Sequence, residues 1–138
     1  MSPNMPLTAL FPRGYILPMT WDVEFTDELG AWWERLTEPQ QDAIDRVVGL
    51  LMERGPQLGF PYSSDIQGSR HGHMRELRTQ SQGHPIRILY AFDPRRSAIL
   101  LLGGDKMGDD RWYERAVPEA DQLYDEHLVT LRKEGLLE

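Results

Sequence analysis

The chain has 138 residues, 40% of them hydrophobic and 27% charged, and a formal net charge of −7; this size and mixture suit one soluble domain with a modest core. It contains no cysteine, which excludes a disulfide framework, a thiolate zinc site and a cysteine nucleophile. No apolar run approaches the roughly 20 residues that span a bilayer, so no membrane partner is expected and a cytoplasmic location is the default.

Residues 1–18 hold four of the ten prolines and show neither helical nor strand periodicity. They read as a flexible tail in front of a single domain over residues 19–138. Trp21, Val23 and Phe25 alternate with Asp22 and Glu24, the pattern of a half-buried strand. Thr26 or Asp27 can cap a short helix over residues 28–36 with Leu29, Trp32, Trp33 and Leu36 as its apolar stripe. Thr37 and Gln40 form a T-x-x-Q capping box for a second helix, with Pro39 in its first turn. Its apolar positions Ile44, Val47, Val48 and Leu51 follow the i, i+3, i+4, i+7 spacing, and Gly55-Pro56 stops it.

Residues 56–72, rich in Gly, Pro and Ser, read as a loop. Three strands follow: 73–79, 86–92 after a turn at Ser81-Gln82-Gly83, and 98–102 after Asp93-Pro94-Arg95-Arg96. The last is apolar on both faces and is expected at the centre of the sheet, with Gly103-Gly104 ending it. A final helix is predicted over 117–133, with residues 109–116 as a separate helical turn because Pro118 disfavours helix at Val117. The order is β-α-α-β-β-β-α. The fold class is α+β: a small antiparallel sheet with a helical hairpin and a C-terminal helix packed against one face.

Charge is unevenly spread. Between residues 70 and 96 there are six arginines against Glu76 and Asp93, a balance of +4 that leaves −11 elsewhere. Arginine inside a strand needs a partner, because burying it unpaired is costly. Arg75, Arg78 and Arg87 lie in predicted strands, and Lys106 follows the last one. Each arginine has two readings: a salt bridge to Glu76, Asp93, Asp105 or a helix carboxylate, or a seat for an anion such as an RNA phosphate. With Tyr113, this set suits RNA cleavage to a cyclic phosphate. The substrate's own 2′-hydroxyl is then the nucleophile, and the protein need only align the phosphate, neutralise charge and move protons. Nothing else competes: Gly103-Gly104 is no phosphate loop, Ser63 and Ser64 lack a nucleophile motif, and His71-Gly-His73 lacks carboxylates at ligand spacing. No metal or cofactor is expected.

The segments M-R-E-L-R at 74–78, I-R-I-L-Y-A-F-D at 86–93 and L-L-L-G-G-D-K at 100–106 resemble the RelE/HigB toxin superfamily, in its phage-derived branch, as does R-W-Y-E-R-A-V-P-E-A-D-Q-L-Y-D-E-H-L at 111–128. The resemblance covers residues 19–131. It implies the RelE-like toxin of a type II toxin–antitoxin pair: a metal-independent, ribosome-dependent mRNA endonuclease, neutralised by a cognate helix-turn-helix antitoxin. Carried over by position, it implies Arg78, Arg87, Lys106 and Tyr113 as catalytic residues, with His73 and Arg75 as further candidates; these two, together with Arg95 and Arg96 of the same basic segment, are the expected RNA-binding residues. Many relatives carry two lysines where this chain has Lys106-Met107, and many are basic where this one is acidic. Those departures motivate an alternative, a catalytically weak or inactive module that only pairs with a helix-turn-helix regulator.

Overall fold

The computed structural model describes residues 20–137; the expected tail at 1–18 lies outside them. Strand β1 (Val23–Phe25) leads into helices α1 (Asp27–Glu34) and α2 (Glu38–Arg54), a single 3-10 turn at Gly55–Gln57, strands β2 (Ser63–Asp65), β3 (Arg75–Ser81), β4 (His84–Phe92) and β5 (Ala98–Asp105), and helix α3 (Trp112–Lys133). The sheet runs β1-β5-β4-β3-β2. β1 is parallel to β5, and the other pairs are antiparallel, so the sheet is mixed rather than purely antiparallel.

The starts of α1 and α2 are those the sequence specifies. The Thr26 hydroxyl accepts from the Leu29 N–H at 3.0 Å and donates to the Leu101 carbonyl at 2.8 Å, tying the cap of α1 to β5. At α2 the capping box is complete: the Thr37 N–H donates to Gln40 Oε1 at 2.9 Å and the Gln40 N–H to Thr37 Oγ1 at 3.3 Å.

The helices cover both faces of the sheet, not one. Ile86, Ile88, Tyr90 and Leu100 pack with Leu29, Ile44, Val47, Val48 and Leu51 of the helical hairpin. Leu89, Ala91, Ile99 and Leu101 pack with Trp112, Ala116, Val117, Ala120 and Tyr124 of α3. Successive side chains of a strand point to opposite faces. β4 and β5 are apolar at both parities, so each face needs a cover.

Three further expectations fail for identifiable reasons. Residues 63–65, read as loop, form β2 although Ser-Ser-Asp has little strand propensity. Tertiary contacts hold it there: the ladder to β3, and the buried Ser63 hydroxyl 2.7 Å from the Tyr90 hydroxyl. Gly103 and Gly104 do not end β5, which runs on to Asp105. A β-carbon at Gly103 would stand 2.3 Å from the Trp32 ring, and one at Gly104 would stand 2.4 Å from the Trp112 ring. The glycines let an indole close down on each face of the strand. Gly104→Ala should therefore cost about 1–3 kcal/mol by overpacking, read as a lower urea midpoint with an unchanged slope. Finally, α3 begins at Trp112 and runs unbroken through Pro118. An interior proline costs about 3 kcal/mol or more. Pro118 is exposed while Trp112, Ala116, Val117 and Ala120 are buried, so their burial outweighs the lost hydrogen bond.

Candidate functional site

The β3–β4 turn sets the site. Gln82 (φ 54°) and Gly83 (φ 84°) both take the left-handed conformation, which makes a two-residue hairpin loop. Ser81 then pairs with His84, and counting back along the ladder Arg78 faces Arg87 and Glu76 faces Leu89. Two arginines directly opposite on one face repel each other. Glu76, two residues from Arg78 on the same face, answers both: Arg78 Nη1 donates to Glu76 Oε2 at 3.0 Å, and Arg87 Nε lies 3.7 Å from Oε1. The same carboxylate accepts from the Ser64 hydroxyl at 2.8 Å and the Tyr113 hydroxyl at 2.5 Å. Its side chain is only 5% exposed. Arg87 is 8% exposed, donates through Nη1 to the Ile86 carbonyl at 3.0 Å, and keeps a buried Nε–H without a hydrogen-bond partner among the described residues. Lys106 completes the group, its ammonium 5.7 Å from the centre of the Tyr113 ring, within cation–π range. The Lys106 N–H donates to the Pro85 carbonyl at 3.0 Å and holds the lysine at the end of the β4–β5 ladder.

Arg78, Arg87 and Tyr113 thus gather around one buried carboxylate, and Lys106 stands beside them against the Tyr113 ring. Glu76 is the hub that the sequence offered only as one of several salt-bridge partners. Burial, then the bond to Glu76, pushes the Tyr113 hydroxyl up to about 12. At neutral pH Tyr113 is a proton donor and not a base. The folded chain holds this proton more tightly than the unfolded chain, whose tyrosine titrates near 10. Its contribution to stability is therefore full below pH 10 and disappears as the pH rises towards 12. A 295 nm titration of the native protein minus that of Tyr113→Phe should show one phenol with a midpoint near 12; a midpoint at 10 would mean that the phenol is neither buried nor engaged by Glu76.

Beside this group opens a cleft of about 640 Å³, lined by Arg78 and Arg87, by Thr79 and Gln80 beyond the end of β2, by Pro61 and Tyr62, and by Ala43, Arg46, Val47 and Leu50 of α2. Three arginines and no carboxylate line it, in a chain of net charge −7. Lys106 and Tyr113 are not in its wall; Arg78 and Arg87 are shared between the cleft and the Glu76 cluster. Arg46 was not singled out from the sequence. Its signal was there, because positions 43, 46, 47 and 50 repeat at helical spacing and an arginine sits inside an otherwise apolar stripe.

The four expected RNA-binding residues are not brought together. Arg75 points to the opposite face of β3, where it donates to Ser63 Oγ at 3.0 Å, to the Leu58 carbonyl at 3.3 Å and to Asp65. Arg95 sits in the β4–β5 turn, clamped between Asp93 (2.7 Å) and Glu24 (2.9 Å), and these bonds raise its pKa further. Arg96, in the same turn, lies over the Trp21 ring at 5.0 Å. His73, which precedes β3, lies 3.3 Å from the Tyr124 hydroxyl of α3. All four are thus engaged by groups of the protein itself, and none of them lines the cleft. Among the described residues, no three His, Asp or Glu side chains converge as metal ligands would, and no helix is long and apolar enough to cross a membrane.

Residues 31–125 match the family described as "Phage derived protein Gp49-like (DUF891)". The chain is 41% identical over 112 residues to the putative toxin HigB2 of Mycobacterium tuberculosis (strain ATCC 25618 / H37Rv), covering 80% of this chain but only 54% of that protein. It is 42% identical over 100 residues to the putative toxin HigB3 of the same organism, covering 72% of this chain and 86% of that one. The fold is similar to that of a mutant of the E. coli toxin RelE in the free state, with a TM-score of 0.52 at 12% identity over 70% of this chain and 94% of the other.

Proposed function

The chain belongs to the Phage derived protein Gp49-like family, and on that premise we propose that it is the toxin of a type II toxin–antitoxin pair and that it inhibits translation by cutting mRNA on the ribosome. The observation that carries the reading is the convergence of Arg78, Arg87 and Tyr113 on Glu76, with Lys106 against the Tyr113 ring, next to a cleft walled by three arginines. Its relatives bear the name of putative toxins. The partner is a cognate antitoxin, of the helix-turn-helix kind that the resemblance implies.

The chemistry asks little of the protein. The ribose 2′-oxygen attacks the adjacent phosphorus, the P–O5′ bond breaks, the 2′-hydroxyl gives up its proton and the leaving 5′-oxygen takes one. Arg78 and Arg87 supply rigid donor forks for the phosphate oxygens, and the charge of the buried Arg87 counts for more than it would in water. Tyr113, protonated at neutral pH, and the Lys106 ammonium beside it are the donors for the leaving oxygen. Glu76 is a positioning residue: it holds both guanidinium groups and the phenol while touching no solvent to speak of.

Induction of the chain should arrest growth, and primer extension on translated messages should show new 5′ ends that vanish when translation is blocked. Growth arrest without such cuts would reject the nuclease reading. A tight antitoxin complex with no cleavage in a translating extract would favour the binding module instead.

A further inference from the structure

We infer that the segment Phe60–Tyr62 is a nucleobase-stacking platform, so that a base of single-stranded RNA lies on the Phe60 ring while the neighbouring phosphate is held by Arg78. This deepens the reading above and rests on RNA being the ligand.

Phe60 is 75% exposed and Tyr62 40% exposed. A single exposed apolar side chain needs no explanation. Here two aromatic rings and Pro61 follow one another in sequence, and Tyr62 and Pro61 form part of the wall of the cationic cleft. The Arg78 guanidinium stands over the Phe60 ring at 5.2 Å from its centre. That contact covers one side of the ring and leaves most of it open to water. Aromatic rings interleaved with a cationic groove are how single strands are held without reading their sequence, the ring taking the base and the cation the phosphate.

The platform is also fixed. The Arg78 N–H donates to the Tyr62 carbonyl at 2.8 Å, tying the segment to the strand that carries the phosphate-binding arginine. Tyr62 and Ser63 both donate to the Gly59 carbonyl, at 3.0 and 3.1 Å. Leu58, fully buried, anchors the base of the segment, and Arg75 donates to its carbonyl at 3.3 Å. Arg75 thereby has a role: it braces the platform from the far face of β3. A ring held this way gives up little entropy on binding.

The test uses mRNA carrying 2-aminopurine, whose fluorescence is quenched on stacking, both free and loaded on programmed ribosomes. The wild-type chain should quench it. Phe60→Ala and Phe60→Leu should lose the quench and weaken binding about 5- to 100-fold, with melting curves unchanged, and Phe60→Trp should retain both. Quenching that is equal in Phe60→Ala and wild type, or absent from wild type in both arms, overturns the inference. So does a Phe60→Ala chain that handles RNA normally but loses its antitoxin, since the ring then serves a protein interface. A wild-type chain that quenches but cuts no translated message leaves the platform standing and removes the nuclease reading.

Discussion

Lys106→Ala is expected to slow mRNA cleavage in a translating extract by about 10²- to 10³-fold, the usual cost of removing one donor from a site that stabilises developing charge. The same change should leave the protein folded. The side chain makes no hydrogen bond among the described residues, and its one close partner is the Tyr113 ring at 5.7 Å, a contact worth about 0.5–1 kcal/mol at such a position. The backbone bond from Lys106 to Pro85 survives the substitution. Activity and stability are therefore separable at this residue, which is not so for Arg87, buried and bonded to the Ile86 carbonyl. Primer-extension rates set against a thermal melt give both numbers. An unaltered rate in folded Lys106→Ala would remove the lysine from the chemistry.

Glu76→Ala should have the opposite profile, a large loss of stability. Its carboxylate lies between Arg78 and Arg87, which face each other across the β3–β4 ladder. Without it, two like charges oppose each other, one of them almost wholly buried, and the Ser64 and Tyr113 hydroxyls lose their acceptor. Removing one partner of a buried ionic network costs about 3–5 kcal/mol. A urea titration would show this as a much lower midpoint. Glu76→Gln keeps the shape and an acceptor oxygen and should cost clearly less. If Glu76→Ala melted like the wild type, the carboxylate would not be the hub described.

Which parts of the site the sequence disclosed follows from the range of the interactions involved. Arg78, Arg87, Lys106 and Tyr113 stood out because charged residues inside or just after apolar strands have to be explained locally. Their convergence depended on register. A three-residue turn at 81–83 would not have put Arg78 opposite Arg87; the two-residue turn does. The signal for that turn was weak, because Gln82 rather than Asn or Asp stands at a left-handed position. His73, Arg75, Arg95 and Arg96 carried the same local signature as the residues of the Glu76 cluster. What separates them is whether a partner from another part of the chain has already taken their donors, as Glu24 takes those of Arg95 across 71 residues.

The sequence by itself determined the order of every element except β2, the caps of α1 and α2, the two apolar parities of β4 and β5 and the concentration of arginine in the strands. These are consequences of spacing and side-chain chemistry over a few residues. Only the tertiary structure decided that helices lie on both faces, that Gly103 and Gly104 admit two indoles, that Pro118 is tolerated inside α3, and that Ser63–Asp65 is a strand. In each case a local preference of at most a few kcal/mol was outweighed by burial against residues remote in sequence. The site follows the same division: the chain names its cations, and the packing of β3, β4 and α3 selects those that share Glu76.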